Sequence, residues 1–413
     1  MLKSLLGAGM AFAVGLSVSL SSETAMAKVD GDTIVLGAAI SLTGKYSTNG
    51  IHTQNGYELA VKKINDAGGV SVGGKSYKLS VTYYDDESTP ARGAQLVERL
   101  INQDGVDYML GPYSSGLTKA MAPVSEKYGV PMVEAEGASR SLFTQGYEYL
   151  FAVLSTSEQY LASAIHLAAD KAKANGDDPS DIKVALAFEN DPFSQDVRAG
   201  VLEDAGKYDM NIVIDDQLPR DLSDMSATLT KVKALRPDVL IVSGHSKGAA
   251  TAARQIGELG IDVPMIALTH CDAAKITEKF PEASEGFLCA TQWSPTLTYS
   301  DGLFGTAADF EAEFKATYEG YDAGVPYQAA QAAAAVMVYA DAFERANDFD
   351  KKAVRDALAA TDMQTFYGGV KFSPAGNNIA KPMVLWQIQD NQYQVVAPPK
   401  WASHELVWPR KAN

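Results

Sequence analysis

Short apolar runs alternate with longer amphipathic stretches along most of this chain. Thr33 to Ile40 is short and almost continuously apolar, the pattern of a strand buried on both faces. From Gly56 to Asn65 the spacing becomes helical, with Leu59, Ala60 and Ile64 on one face, and Gly68-Gly69 marks the end. The signals repeat as a strand over 77–84, a helix over 91–102, a strand over 107–110 and a helix over 115–128. This βαβαβ rhythm predicts a parallel sheet covered on both faces. After Leu154 the rhythm restarts, with a helix over 158–174, a strand over 183–188, a helix over 193–205 and a strand over 211–214. Helix 223–235, strand 239–242, helix 247–259 and strands 263–268 and 286–291 follow. Two long helices come next, 306–319 and 327–346. The Ala-rich stretch Ala329–Ala335 keeps apolar residues at helical spacing and reads as packed helix. A β-rich stretch over 366–396 closes the pattern, with strands 383–389 and 392–396 around an Asp390-Asn391 turn.

Two α/β units in series predict two lobes. No long Pro/Ser/Gly tract separates them, so ordered crossing strands are expected to join them. Ligands of open α/β sheets bind at the carboxyl ends of the strands, and two such edges facing each other make a cleft.

The N-terminus changes the picture. Lys3, an apolar run over 5–20 and Ala25-Met26-Ala27 form the pattern of a cleaved signal peptide over 1–27, with the mature chain starting at Lys28. The run is shorter than the ~20 residues of a spanning helix, and no Cys at the cleavage point offers a lipid attachment site, so no membrane anchor is expected. The remaining chain, about 386 residues, exceeds one ordinary core. Its net charge of −16 argues against nucleic acid and against anionic lipid. The two cysteines, Cys271 and Cys289, each lie at the end of a predicted strand; in an oxidising compartment they pair, the alternative being two free buried thiols. None of the five histidines has ligand spacing to a cysteine or another histidine, so no metal is expected. No cofactor is expected either.

The opening Ile34-Val-Leu-Gly-Ala-Ala-Ile-Ser-Leu-Thr-Gly44, then Gly50, then Asn55-Gly56 through Gly69, resembles that of type I periplasmic binding proteins, most closely the branched-chain amino acid binding group of ABC transporters. Tyr84-Asp85-Asp86, Gly111-Pro-Tyr-Ser-Ser115, Gly129-Val-Pro-Met132 and Asp196 to Leu202 extend the resemblance, which runs from about residue 33 to the 380s. It implies an α/β fold of two Rossmann-like lobes (a Venus-flytrap, periplasmic binding protein type I) joined by three crossovers. The lobes would be 28–154 plus about 292–382, and 155–291 plus about 383–413. It further implies a monomer that holds a small amino acid or related carboxylate and hands it to ABC permease subunits in the periplasm.

The loop Tyr113-Ser114-Ser115, at a helix start, is the family's carboxylate site, and helix-start N–H groups favour an anion. The next family loop falls at Glu136-Gly137-Ala138-Ser139, with Ala138 or Ser139 at the contact. The second lobe brings Phe193 and His245 by the same resemblance. Tyr46, Asn49, Trp293 and Tyr327 are expected wall residues. The family's ammonium-pairing glutamate falls at Thr269 or His270, where no acid stands; Asp272 or Glu136 would have to replace it.

Two other readings fit parts of the sequence. The same fold can serve a membrane sensor instead of a permease. Gly244-His245-Ser246-Lys247-Gly248 also matches G-x-S-x-G between a strand and a helix, which would make Ser246 a hydrolase nucleophile with His404 as base. The motif is short, and His404 lies among Trp401, Trp408 and Pro409, a poor setting for a buried triad.

Overall fold

The computed structural model describes residues 29–410. The proposed signal segment over 1–27 lies outside the described residues. Among the described residues, no helix is long and apolar enough to cross a membrane.

The chain builds two separate mainly parallel sheets. The first runs, edge to edge, Val70–Val72, Lys75–Asp85, Thr33–Ile40, Met109–Leu110, Met132–Glu134 and Leu150–Ala152. The second runs Gln392–Ala397, Val384–Gln389, Leu288–Thr291, Met265–Thr269, Val239–Ser243, Lys183–Glu189 and Asn211–Leu218. The central strands are covered on both faces; every residue of Val239–Ser243 and Met265–Thr269 is buried. That explains their unbroken apolar sequence. The final hairpin adds antiparallel to Leu288–Thr291, far from its own sequence neighbours. Asp390 and Asn391 both take positive φ, 50° and 59°, the left-handed pair a two-residue hairpin turn requires.

Seven helices matter for the site: α1 (Ser47–Asp66), α2 (Pro90–Asn102), α3 (Ser115–Lys127), α4 (Ala162–Asn175), α5 (Pro192–Gly206), α6 (Ser226–Leu235) and α7 (Ser246–Glu258). Helix α1 starts nine residues before the sequence pattern indicated. Its first half is polar on the buried side, through Asn49, His52 and Thr53, because that face meets the other lobe and Tyr321 rather than an apolar core. Gly50 and Gly56 permit the packing: a Cβ would stand 1.9 Å from the Ser41 carbonyl oxygen and 2.2 Å from that of Ala329. Helix α2 buries Leu96, Val97 and Leu100 against Leu117 and Met121 of α3, each side chain contributing about 1.5–3 kcal/mol. Helix Lys351–Ala359 was not apparent in the sequence pattern; Asp350 caps it by accepting from the Ala353 N–H.

Three segments carry the chain between the sheets: after Ala152, after Thr291, and before Val384. They are fastened to one another. The Ser155 N–H donates to Gln292 (3.1 Å), the Gln292 amide donates to the Ser155 carbonyl (2.9 Å), and the Ser155 hydroxyl donates to the Lys381 carbonyl (2.7 Å). The Lys381 ammonium donates to the Gln292 carbonyl and stands 4.3 Å from the Tyr367 ring centroid.

Candidate functional site

The carboxyl ends of the two sheets face each other, and the starts of α3, α5 and α7 are among the helix starts that converge there. Two belong to the second sheet. At α5, Asp191 Oδ1 accepts from the N–H groups of Phe193 (2.9 Å) and Ser194 (3.2 Å). At α7, the His245 N–H donates to Glu189 Oε2 (3.1 Å). An acid therefore already stands at each of these positive helix ends. Helix α3, from the first sheet, is different: its N-cap Ser114 makes no side-chain capping bond and no acid lies in its first turn. Ser115 Oγ accepts the Ser139 N–H (3.1 Å), which leaves its own O–H free to donate. Of the three, α3 alone keeps uncompensated donors for an anion.

A narrow cavity, nearly filled by side chains, lies between these ends. It is lined by Tyr113, Ser114, Ser115, Glu136, Tyr160, Phe193, His245, His270 and Tyr327. Both sheets contribute. The Tyr113 hydroxyl reaches across to His245 Nδ1 (2.7 Å) and His270 Nε2 (2.9 Å); its single proton serves one imidazole and its oxygen accepts from the other. Burial pushes the His270 pKa down to about 3, so this imidazole is neutral. His270 has φ +60°, a conformation that costs a non-glycine residue of order 1 kcal/mol. The adjoining Cys271–Cys289 disulfide, with Cα atoms 5.9 Å apart, anchors that bend to the neighbouring strand.

Polar bonds fasten the two sides outside the cavity. The Lys45 ammonium donates to Glu189 and to the Arg220 carbonyl. The Ser246 hydroxyl donates to Asn49 Oδ1 (2.6 Å). Arg140 pairs with Asp196 (2.9 Å) and Glu203 (3.0 Å) on α5. Glu189, Asp191 and His245 bring potential metal-ligand atoms within 4.8 Å of one another, a grouping that sequence spacing did not reveal. Three of its four carboxylate oxygens are already engaged, by Lys45, the His245 N–H and the α5 start, so it reads as an ion-pair network.

The family described as "Periplasmic binding protein" matches residues 33–392. The chain belongs to this family. The protein "Leu/Ile/Val-binding protein homolog 8" of Brucella suis is 26% identical over 393 residues, covering 93% of this chain and 94% of its own. The leucine-, isoleucine-, valine-, threonine- and alanine-binding protein of Pseudomonas aeruginosa is 24% identical over 349 residues, covering 84% and 87%. Among solved structures, the Streptococcus pneumoniae protein LivJ in complex with isoleucine superposes with TM-score 0.76 at 24% identity, covering 91% of this chain and 100% of that one. A Rhodopseudomonas palustris solute-binding protein in complex with benzoate gives TM-score 0.73 at 18% identity, covering 92% and 97%. These likenesses identify the fold as the type I periplasmic binding protein.

Within this periplasmic binding protein, the structure distributes the expected site residues unevenly. Tyr113, Ser114, Ser115, Glu136, Phe193, His245, His270 and Tyr327 line the cavity. Tyr46 packs behind it, 5.5 Å from the Tyr113 ring and 4.8 Å from His245. Asn49 is taken by Ser246, and Thr269 donates to the Gly244 carbonyl (2.8 Å). The Ala138 carbonyl accepts the Ser157 N–H, and the Ser139 hydroxyl bonds Ser141, so both support the cleft from outside the cavity wall. Besides Tyr46, Asn49, Thr269, Ala138 and Ser139, two more expected residues, Trp293 and Asp272, stand outside the cavity wall and correct the sequence reading. Trp293 donates to the Phe366 carbonyl (3.3 Å) and packs on Phe310 and Phe366, in an aromatic core away from the cavity. Asp272 accepts the Tyr327 N–H (3.2 Å) and faces a separate crevice with Trp386 and Tyr393. Tyr160 was missed; it lies where the chain leaves the first crossing segment, a place that sequence pattern marks only as a helix start. Lys45 and Arg140 were missed as well, because their partners lie more than fifty residues away. Ser246 is turned to Asn49, and His404 is exposed and bonds Ser403 (3.1 Å), so each half of the candidate hydrolase pair has another partner.

Proposed function

We propose that this chain is the solute-binding component of an ABC importer. It takes a small organic carboxylate into the cleft between its lobes and delivers it, as a monomer, to permease subunits in the periplasm. In this reading the lobes are 28–154 plus about 292–382, and 155–291 plus about 383–413. Residues 1–27 direct export and are removed before Lys28, which N-terminal sequencing of periplasmic protein checks. The carboxylate is bound by the Ser115 hydroxyl and the first-turn N–H groups of α3. The single observation that carries this is the start of α3, which has no acid of its own and places Ser115 in the cavity wall. The printed ligands of the neighbours, isoleucine and benzoate, share a carboxylate, which supports the same end of the site. Closing the lobes shuts the ligand away from water, so its charge must be matched by protein donors.

Mass spectrometry of small molecules released by denaturing the purified periplasmic protein tests the reading. A single enriched carboxylic acid is expected. Release of a solute with no carboxyl group would contradict it, as would hydrolysis of an acyl ester that is lost in Ser246→Ala.

A further inference from the structure

A second crevice lies beside the crossing segment that follows Thr291, outside the cleft cavity. Its volume is about 400 Å³, within the roughly 300–1,000 Å³ of small-molecule sites. Its walls come from the segment after strand Met265–Thr269, from the stretch 294–296, from helix Ala307–Thr317 and from the closing hairpin. The Cys271–Cys289 disulfide fixes the first of these walls to the neighbouring strand.

Two buried polar atoms of opposite kind in these walls lack a partner. Among the described residues, Asp272 Oδ1 and Trp386 Nε1 are enclosed with nothing to hydrogen-bond. Trp386 is 4% exposed. The other Asp272 oxygen accepts the Tyr327 N–H (3.2 Å). The Asp272 charge is felt on both sides, by Tyr393 in the crevice and by Glu136, Tyr160 and Tyr327 in the cleft wall, so this carboxylate stands between the two cavities. A buried polar group without a partner is costly, and an ionised one most of all.

The charges of the walls settle the sign of the occupant. Four acids and two lysines line the crevice. Lys275 pairs with Glu278 (3.7 Å) and donates to the Gly320 carbonyl (2.6 Å), and Lys315 pairs with Glu311 (3.0 Å). Among the described residues, Asp272 and Asp322 are left without a cation. An ammonium therefore fits, and a carboxylate on the same molecule would be repelled. The acceptor that the Trp386 N–H requires must then be neutral. The Trp386 and Tyr393 rings, with centroids 4.8 Å apart and planes inclined at 34°, supply a wall for a carbon skeleton and ring faces for the cation.

We infer that this crevice is a second binding site, distinct from the cleft, for a small amine bearing hydroxyl groups: an amino alcohol or amino sugar. Asp272 Oδ1 accepts from the ammonium, a ligand hydroxyl accepts from the Trp386 N–H, and the carbon skeleton lies on the Trp386 and Tyr393 rings. The inference goes beyond the carboxylate assigned to the cleft and does not depend on it.

Calorimetric titration of the full mature protein, still carrying the solute it is purified with, tests this with glucosamine and ethanolamine against glucose and N-acetylglucosamine. Each amine is expected to bind one to one without displacing the cleft solute. The two uncharged sugars should bind at least about 10-fold more weakly than glucosamine, and glucosamine should lose as much in Asp272→Asn, because a hydrogen bond between charged groups is lost each time. Trp386→Phe keeps a ring and removes the N–H, and should weaken glucosamine about 2- to 10-fold. That variant decides the matter alone if Asp272→Asn does not fold. Glucose binding as tightly as glucosamine would overturn the inference. Amine binding that is unchanged in either folded variant, or that releases the cleft solute, would overturn it by placing the amine elsewhere. Failure of both amines to bind at millimolar concentration would overturn it and leave the crevice to water.

Discussion

Replacing Lys381 by methionine removes a buried ammonium from the joint between the lobes. Lys381 is 4% exposed, and burial lowers its pKa from 10.5 to about 7. The folded protein therefore binds this proton less tightly than the unfolded chain does. Between about pH 7 and 10.5 the unfolded state carries more protons, so stability from this group rises as pH rises through that window. Below pH 7 both states are protonated and the penalty is constant. Each tenfold change in proton affinity corresponds to about 1.36 kcal/mol. Moving from pH 6.5 to 9.5 should then relieve about 3 kcal/mol in the wild type and nothing at this position in Lys381→Met. The Gln292 carbonyl and the Tyr367 ring face both favour the charged form, so about 2 kcal/mol is the working expectation. Urea denaturation of both proteins at the two pH values measures the difference, because the other titrating groups cancel between them. A gap between the two stabilities that is the same at pH 6.5 and 9.5 would refute the reasoning.

Three further outcomes follow from the geometry. Replacing Cys271 and Cys289 by alanine opens a loop with a sequence separation of 18 and should cost about 3 kcal/mol, read as a lower denaturation midpoint; an unchanged midpoint in oxidised and reduced protein would contradict it. Lys45→Met leaves Glu189, 1% exposed, without its cation and should favour the parted lobes, giving a larger radius of gyration in solution scattering of the ligand-free protein; superimposable profiles would contradict it. Burial raises the Asp272 pKa from 3.8 to about 6, so its ionisation costs stability as pH rises from about 4 to 6; Asp272→Asn should flatten that fall by about 1–2 kcal/mol, whereas an unchanged slope would show the carboxylate is not strained.

Much of the fold was legible because its central strands are buried on both faces and write themselves as short apolar runs. Thr33–Ile40 and the helix Tyr327–Ala346 begin and end where the pattern says. The pattern failed where burial is not apolar. The first half of α1 buries Asn49, His52 and Thr53, so hydrophobic spacing cannot detect it. The cavity residues at strand and helix junctions, Tyr113 to Ser115 and His245, were reachable because open α/β sheets bind at those ends. Side-chain direction was not. Trp293 and Tyr327 are similar aromatic candidates in sequence, yet one turns into the Phe310–Phe366 core and the other into the cavity. The hydrogen bonds that hold Glu136 come from Thr53 and Gln331, which lie 83 and 195 residues away, and no local motif carries them.

The central claim is that the open start of α3 holds the ligand's carboxylate through Ser115. Calorimetric titration of the acid recovered from the protein into wild type and into Ser115→Ala tests it most directly. A hydrogen bond to a charged group contributes about 1.5–3 kcal/mol, so the dissociation constant should rise about 10- to 150-fold in the variant. An affinity within a factor of two of wild type, in a protein of unchanged melting temperature, would contradict the account.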